Sequence, residues 1–138
     1  MNYVDTSVLV AALVQEAHTR RAERWLTDGS DLAISDWTIT EVSSALALKL
    51  RAGSIDLETR AAAIDALGTM IAESLALLPV ESAHFRTAAK FADQHLLGLR
   101  APDALHLAVA ADNNATLVTL DKKLATAGQK LGVATRLL

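Results

Sequence analysis

Apolar positions along the chain fall into two kinds of run that alternate. Short β-like runs, each too brief for a helix, occur at Asn2 to Val4, Leu32 to Ser35, Ala76 to Val80, Thr116 to Leu120 and Gly132 to Thr135. Longer stretches with helical spacing separate them: Thr6 to Val14, Thr19 to Thr27, Trp37 to Arg51, Leu57 to Ser74, Ser82 to Leu97, Pro102 to Asn114 and Asp121 to Ala127. Asp36, Asp56 with Thr59, and Ser82 are candidate N-caps, and Gly53 and Gly98 can close helices. Strands that alternate with helices lie mostly parallel in one sheet covered on both faces, joined by right-handed crossovers. The pattern therefore predicts an α/β fold, a three-layer α/β/α sandwich around a short, mostly parallel sheet. Two helices lie between the second and third strands where a crossover needs one, which predicts a helical hairpin insertion.

Composition narrows this further. Ala 27 and Leu 23 dominate an apolar content of 51%, against only 4% aromatics, which favours helices. That much apolar surface beside 21% charge excludes a disordered chain. Only Pro79 and Pro102 interrupt the chain, and no linker or repeat divides it, so residues 1–138 read as a single domain. The absence of cysteine excludes a disulfide framework, a thiol nucleophile and a Cys-ligated zinc, and fits a cytoplasmic setting. The longest apolar run, Val8 to Val14, is far short of the roughly 20 residues that span a bilayer.

In open parallel sheets ligands bind beyond the carboxyl ends of the strands, and acids collect there in this chain. Asp5 ends the first strand, Asp121 ends the fourth, and Asp103 opens the helix that feeds the fourth. Each of these has a plain alternative as a helix cap. Glu41 has less of one. It lies on the stripe Trp37, Glu41, Ala45, Leu48, and the residues one turn away include no Arg or Lys, so any partner is non-local. Four carboxylates at one sheet edge repel unless protons or divalent cations neutralise them. Oxygen-only ligands suit Mg²⁺ or Mn²⁺ and point to phosphate chemistry.

Asp5-Thr6-Ser7 after an apolar strand, the mid-helix Glu41-Val42, the run Leu99 to Ala108 around Pro102-Asp103, and Leu117-Val118-Thr119-Leu120-Asp121 resemble the PIN-domain ribonucleases. Their order and spacing resemble in particular the VapC-type toxins of toxin–antitoxin pairs, over essentially the whole chain. The resemblance implies a metal-dependent endoribonuclease that leaves a 5′-phosphate and a 3′-hydroxyl. It carries the acidic quartet over to Asp5, Glu41, Asp103 and Asp121, with Thr6, Ser7 and Thr119 as hydroxyl neighbours. Asp5 and Asp103 are the expected metal ligands, Asp121 completes a second metal site or a water-mediated shell, and Glu41 holds a ligand water or acts as base. Pro102 departs mildly from the pattern; as the first helical residue it is harmless. The resemblance also implies a cognate antitoxin, and the Ala-rich helix Arg60 to Ser74 and exposed hydrophobes near Trp25 are candidate surfaces for homodimerisation or for that antitoxin.

Net charge is −3, which argues against a polyanionic partner until the quartet is set aside; −3 + 4 = +1 leaves a nearly neutral remainder. Arg100, three residues before Asp103, is the expected RNA contact, with Lys49, Arg51, Lys122 and Lys123 as contributors. His106 reads as a semi-buried, hydrogen-bonded helix residue, and His18, His84 and His95 have no ligand spacing. A response-regulator receiver is excluded: Val80 is followed by Glu81 and Thr135 by Arg136, where that fold needs an Asp and a Lys. The alternative function is a catalytically silent PIN-like module that binds an antitoxin or RNA.

Overall fold

A computed structural model of the chain describes all 138 residues. Five strands, β1 (Asn2–Val4), β2 (Leu32–Ser35), β3 (Leu75–Leu78), β4 (Thr116–Thr119) and β5 (Thr135–Leu137), alternate with helices. The helices are α1 (Thr6–Leu13), α2 (Thr19–Asp28), α3 (Asp36–Arg51), α4 (Leu57–Glu73), α5 (Ser82–Ala92), α6 (Ala101–Asp112) and α7 (Lys122–Lys130). The sheet order is β3-β2-β1-β4-β5, with every neighbouring pair parallel.

Alternate strand residues feed opposite faces. Val4, Leu32, Ile34 and Leu75 pack on one face with Val8, Leu9, Val42, Leu46, Ala63 and Leu67, so α1, α3 and α4 cover it. Tyr3, Ala33 and Leu117 turn to the other, where Leu107, Val109 and Leu124 of α6 and α7 meet them. The α3–α4 pair is the expected insertion, turned at Gly53, whose φ of 72° suits a residue without Cβ. Its inward residues Val42, Leu46, Ala63 and Leu67 belong to the main core.

Several boundaries differ from those the sequence suggests. Ser35, not Asp36, caps α3: the Ser35 Oγ accepts from the Thr38 N–H while Thr38 Oγ1 accepts from the Ser35 N–H. Glu81, not Ser82, precedes α5, which ends at Ala92; a separate 3₁₀ turn, His95–Leu97, then closes on Gly98 at φ 63°. β3 stops at Leu78 because Pro79 has no N–H to give a ladder. β5 begins at Thr135 because Gly132, at φ 75°, is still closing α7. Pro102 is the second helical residue of α6, after Ala101.

The topology places the site. From β1 the chain moves outward through β2 to β3, then returns through α5 and α6 to β4 on the other side of β1. Loops leaving β1 and β4 therefore diverge at their carboxyl ends and open a crevice, the switch point of an open parallel sheet.

Candidate active site

Asp5 sits in that crevice. Its N–H extends the β1–β4 ladder to the Val118 carbonyl at 2.9 Å, and its side chain caps α1. Only 5% exposed, its Oδ2 accepts from Ser7 Oγ at 2.5 Å, Thr119 Oγ1 at 2.7 Å and the Ser7 N–H at 3.3 Å. Oδ1 is left 3.7 Å from His106 Nε2. The hydroxyls are themselves fixed: Ser7 Oγ accepts from the Leu120 N–H at 3.0 Å, and Thr119 Oγ1 from the Asp121 N–H at 2.9 Å. Ser7 and Thr119, two of the three hydroxyl residues predicted from the β1 and β4 motifs, thus brace one carboxylate.

Glu41 finds its non-local partners across the crevice. The Oε2 accepts from Thr6 Oγ1 at 2.8 Å and from the Nε2–H of His106, since a carboxylate can only accept. Oε1 is not engaged. Burial pushes the Glu41 pKa up, but the His106 hydrogen bond and charge and the Thr6 hydroxyl outweigh it and hold the carboxyl below its usual value. His106 is deeper than a semi-buried position, at 1% exposure, and is tied into the site rather than only into its helix. Its Nδ1 lies 3.0 Å from the Tyr3 hydroxyl, which also meets Ser35 Oγ at 2.6 Å and Thr38 Oγ1 at 3.2 Å. Burial raises the Tyr3 pKa to about 12, so this hydroxyl keeps its proton at any working pH. Tyr3 and Ser35 carried no functional signal in the sequence, being an apolar-strand aromatic and a serine beside a more obvious cap.

Asp103 behaves differently from the other acids. It is in the first turn of α6, where Arg100 stands at the cap position without a side-chain bond. No hydrogen bond stabilises its carboxylate; burial first, then the charges of Asp5, Asp121 and Glu41, push its pKa up against the opposing pull of His106. Helix capping therefore does not account for Asp103. Asp121 does cap α7, Oδ1 accepting from the N–H groups of Lys123 at 2.7 Å and Leu124 at 3.1 Å, which leaves Oδ2 uncommitted.

The four acids line one cleft of about 390 Å³, with Thr6 and Ser7. Glu16 and His18 line it too, and nothing in their spacing marked them. The cleft lining contains no Arg or Lys; Arg100 lies outside it, and Lys49 is ion-paired to Glu16. On α3 the core stripe is Thr38, Val42 and Leu46; of the predicted stripe Glu41 and Ala45 line the cleft, Trp37 packs against Ala88 of α5 and Leu105 of α6, and Leu48 is exposed. Trp25 is half-buried against the main core and is no free apolar patch.

No three acidic or imidazole side chains stand close enough together to enclose an ion by themselves. The donor chemistry nonetheless fits a hard divalent cation. Such an ion needs only one or two carboxylates, with waters and substrate oxygens filling the rest. Asp103 has no hydrogen-bond donor and is repelled by its neighbours, and that is the deficit a cation relieves.

The PIN domain family matches residues 3–130. The chain belongs to the PIN domain family. The PIN fold extends to solved structures. VapC20 of Mycobacterium tuberculosis, a sarcin-ricin loop cleaving toxin, is 19% identical, with TM-score 0.75 over 93% of this chain and 95% of that one. FitAcB from Neisseria gonorrhoeae is 22% identical, with TM-score 0.70 over 98% and 96%. VapBC2 from Rickettsia felis, bound to a DNA fragment from its promoter, is 18% identical, with TM-score 0.67 over 99% and 98%. No curated protein matches the chain in sequence. No helix of this PIN domain is long and apolar enough to cross a membrane.

Proposed function

We propose that this PIN domain is a Mg²⁺- or Mn²⁺-dependent endoribonuclease and the toxin of a VapC-type toxin–antitoxin pair. The observation that carries the reading is Asp103, a half-buried carboxylate without a donor, beside Asp5 and Asp121. Family membership and the toxin among the similar structures support it. Asp5 and Asp103 would hold the ion, with Asp121 contributing its free oxygen. When bound, the ion supplies charge neutralisation at the scissile phosphate and a water acidic enough to attack near neutral pH.

The chain's own residues do the rest. Ser7 and Thr119 fix Asp5 so that only Oδ1 is free to act in the cleft. Glu41 stays ionised because His106 and Thr6 hold its Oε2, and its Oε1 accepts the proton of the attacking water. The water oxygen bonds to phosphorus as the bond to the 3′ oxygen breaks, the departing 3′ oxygen takes a proton from solvent, and the products are a 5′-phosphate and a 3′-hydroxyl. Tyr3 keeps His106 in place.

Cleavage of single-stranded RNA in Mn²⁺ and in EDTA tests this directly. The wild type is expected to cut only with metal, and Asp103→Asn to be inactive. Calorimetric titration of Mn²⁺ is expected to show binding that the Asp5→Asn, Asp103→Asn double variant loses; equal binding by both would sink the reading. Residues 1–138 acting as one cytoplasmic domain, a homodimeric state and a bound antitoxin belong to the same proposal. Light scattering checks the dimer, expected at twice the 14.6 kDa of one chain.

A further inference from the structure

A cleft lined by carboxylates and by no Arg or Lys repels the polyphosphate it is proposed to cut, so the strand must be gripped elsewhere. We propose that a second groove, between α2 and the edge strand β5, holds the RNA backbone; this rests on the RNA-cleaving reading above. The groove has a volume of about 740 Å³ and is lined by Arg20, Arg21 and Arg24 of α2 and Arg136 of β5, with Trp25 beside them. All four arginines are exposed, and none takes part in any of the ion pairs of the structure. Asp28 is the only acid in the lining, so the groove carries 4 − 1 = +3 on a chain of net charge −3.

The arrangement follows from the two elements. Residues 20, 21 and 24 fall on neighbouring rows of a helix, and α2 buries only Thr19 and Ala22, which leaves that flank free. On β5 the Thr135 side chain turns toward Gly128 of α7, so its neighbour Arg136 turns to the α2 face. The groove and the acidic cleft share no lining residue, but α2 and the end of β5 link them. His18, the N-cap of α2, lines that cleft, and the arginines begin within the next turn. At the other wall, Leu138 lines the groove and donates its N–H to the Thr119 carbonyl at 2.9 Å, while the Thr119 hydroxyl braces Asp5.

This proximity favours a nucleic-acid strand over an acidic peptide. Guanidinium groups pair with either phosphate or carboxylate, but only a substrate strand has to be held along a path that ends at the quartet. The expectation that Arg100 makes the main contact shifts accordingly to the α2–β5 arginines.

Fluorescence anisotropy of a labelled single-stranded RNA in EDTA, using the full chain, tests the groove. The Arg20→Gln, Arg21→Gln, Arg24→Gln, Arg136→Gln variant is expected to bind at least about tenfold more weakly. Its slope of log affinity against log salt should fall by about 0.7 for each phosphate that the missing guanidinium groups no longer neutralise. Arg86→Gln, which removes one guanidinium from α5, should move neither, whereas each single groove variant should weaken binding. In Mn²⁺ the loss should fall on KM. Wild-type affinity and salt slope in the four-Gln variant, with cleavage intact, would overturn the groove and leave the nuclease reading standing. RNA bound through the arginines but never cut, with or without metal, would overturn the nuclease reading and support the groove. Unchanged RNA binding together with lost binding of a poly-glutamate peptide would assign the arginines to an acidic protein partner and overturn the inference.

Discussion

Asp5 and Asp103 both sit at helix starts, yet their surroundings give them opposite energetics. Three donors converge on one oxygen of Asp5, so Asp5→Ala removes the acceptor of a helix N-terminus and of the Ser7 and Thr119 hydroxyls; a loss of about 1–3 kcal/mol follows, read by chemical denaturation. Asp103 has no donor and a raised pKa in the fold. Its contribution therefore favours folding below the ordinary carboxylate range and is lost as pH rises through the raised folded value. At pH 7 without metal the chain carries that penalty in full, and Asp103→Asn should raise Tm, whereas the two proteins should melt alike below the carboxylate range. An Asp103→Asn variant that melts earlier at pH 7 would show that the carboxylate is structural. His106 supplies a second residue-scale outcome. As a positioning residue for Glu41, its replacement in His106→Gln should lower kcat by about 10- to 100-fold with little change in KM. The acid limb of the kcat profile should also move to higher pH, because Glu41 loses the group that holds its pKa down. The four acids stood out in the sequence because Asp5 and Asp121 each follow a strand, Asp103 opens the helix that feeds the fourth strand, and Glu41 interrupts an apolar helix stripe. The network of Tyr3, Ser35 and His106 was not, because each of these residues is ordinary at its position and becomes part of the site only when β1, β2 and α6 meet.

Among the elements, the alternation of short and long apolar runs was enough to predict five strands in a mostly parallel sheet, although the run Gly132 to Thr135 meets β5 only at Thr135. What it could not supply was the ends. Ser35 displaced Asp36 as the cap of α3 because a reciprocal bond with Thr38 satisfies two backbone groups where an Asp would satisfy one. Periodicity ran α5 on to Leu97, but the backbone leaves the helix at Asp93 and spends the last apolar residues in a 3₁₀ turn, where Leu96 is exposed. One glycine shows how tightly two elements can be set. Gly128 is buried within α7, and a Cβ there would run into Thr135 Cγ2 of β5 and Leu107 Cδ2 of α6. Helix propensity alone makes Gly128→Ala favourable by about 1 kcal/mol. Overpacking costs about 1–3 kcal/mol and should prevail, because the strand backbone carrying Thr135 cannot retreat without breaking its pairing with Leu117. Gly128→Ala is thus expected to lower Tm, while Gly68→Ala on α4, where nothing lies within 4 Å, should raise it slightly.

Over the whole molecule, charge is sorted rather than balanced. Acids gather at the switch point of the sheet, arginines along α2 and β5, and the net charge of −3 conceals both. A metal-dependent ribonuclease free in its host is harmful, so the proposed function requires an inhibitor, and the cleft defines the chemistry that would fit. It offers carboxylates at Asp5, Glu41 and Asp103 and no cation of its own, since Lys49 is taken by Glu16 and His106 is already bonded to Glu41. An Arg or Lys from a partner peptide would pair with these carboxylates in a partly buried setting, where such bonds are stronger than in water. It would relieve the same repulsion at Asp103 that a divalent ion relieves, so the two should compete. The complex purified from the native cell is therefore expected to bind Mn²⁺ more weakly than the chain stripped of its partner, and to regain RNA cleavage on stripping. Raising Mn²⁺ should restore part of the activity of the intact complex, an outcome that steric blockade alone would not give. A complex with full Mn²⁺ affinity and full nuclease activity would refute inhibition through the quartet. A complex inactive at every Mn²⁺ concentration, yet with undiminished metal affinity, would place the inhibitor over the arginine groove or the cleft mouth instead.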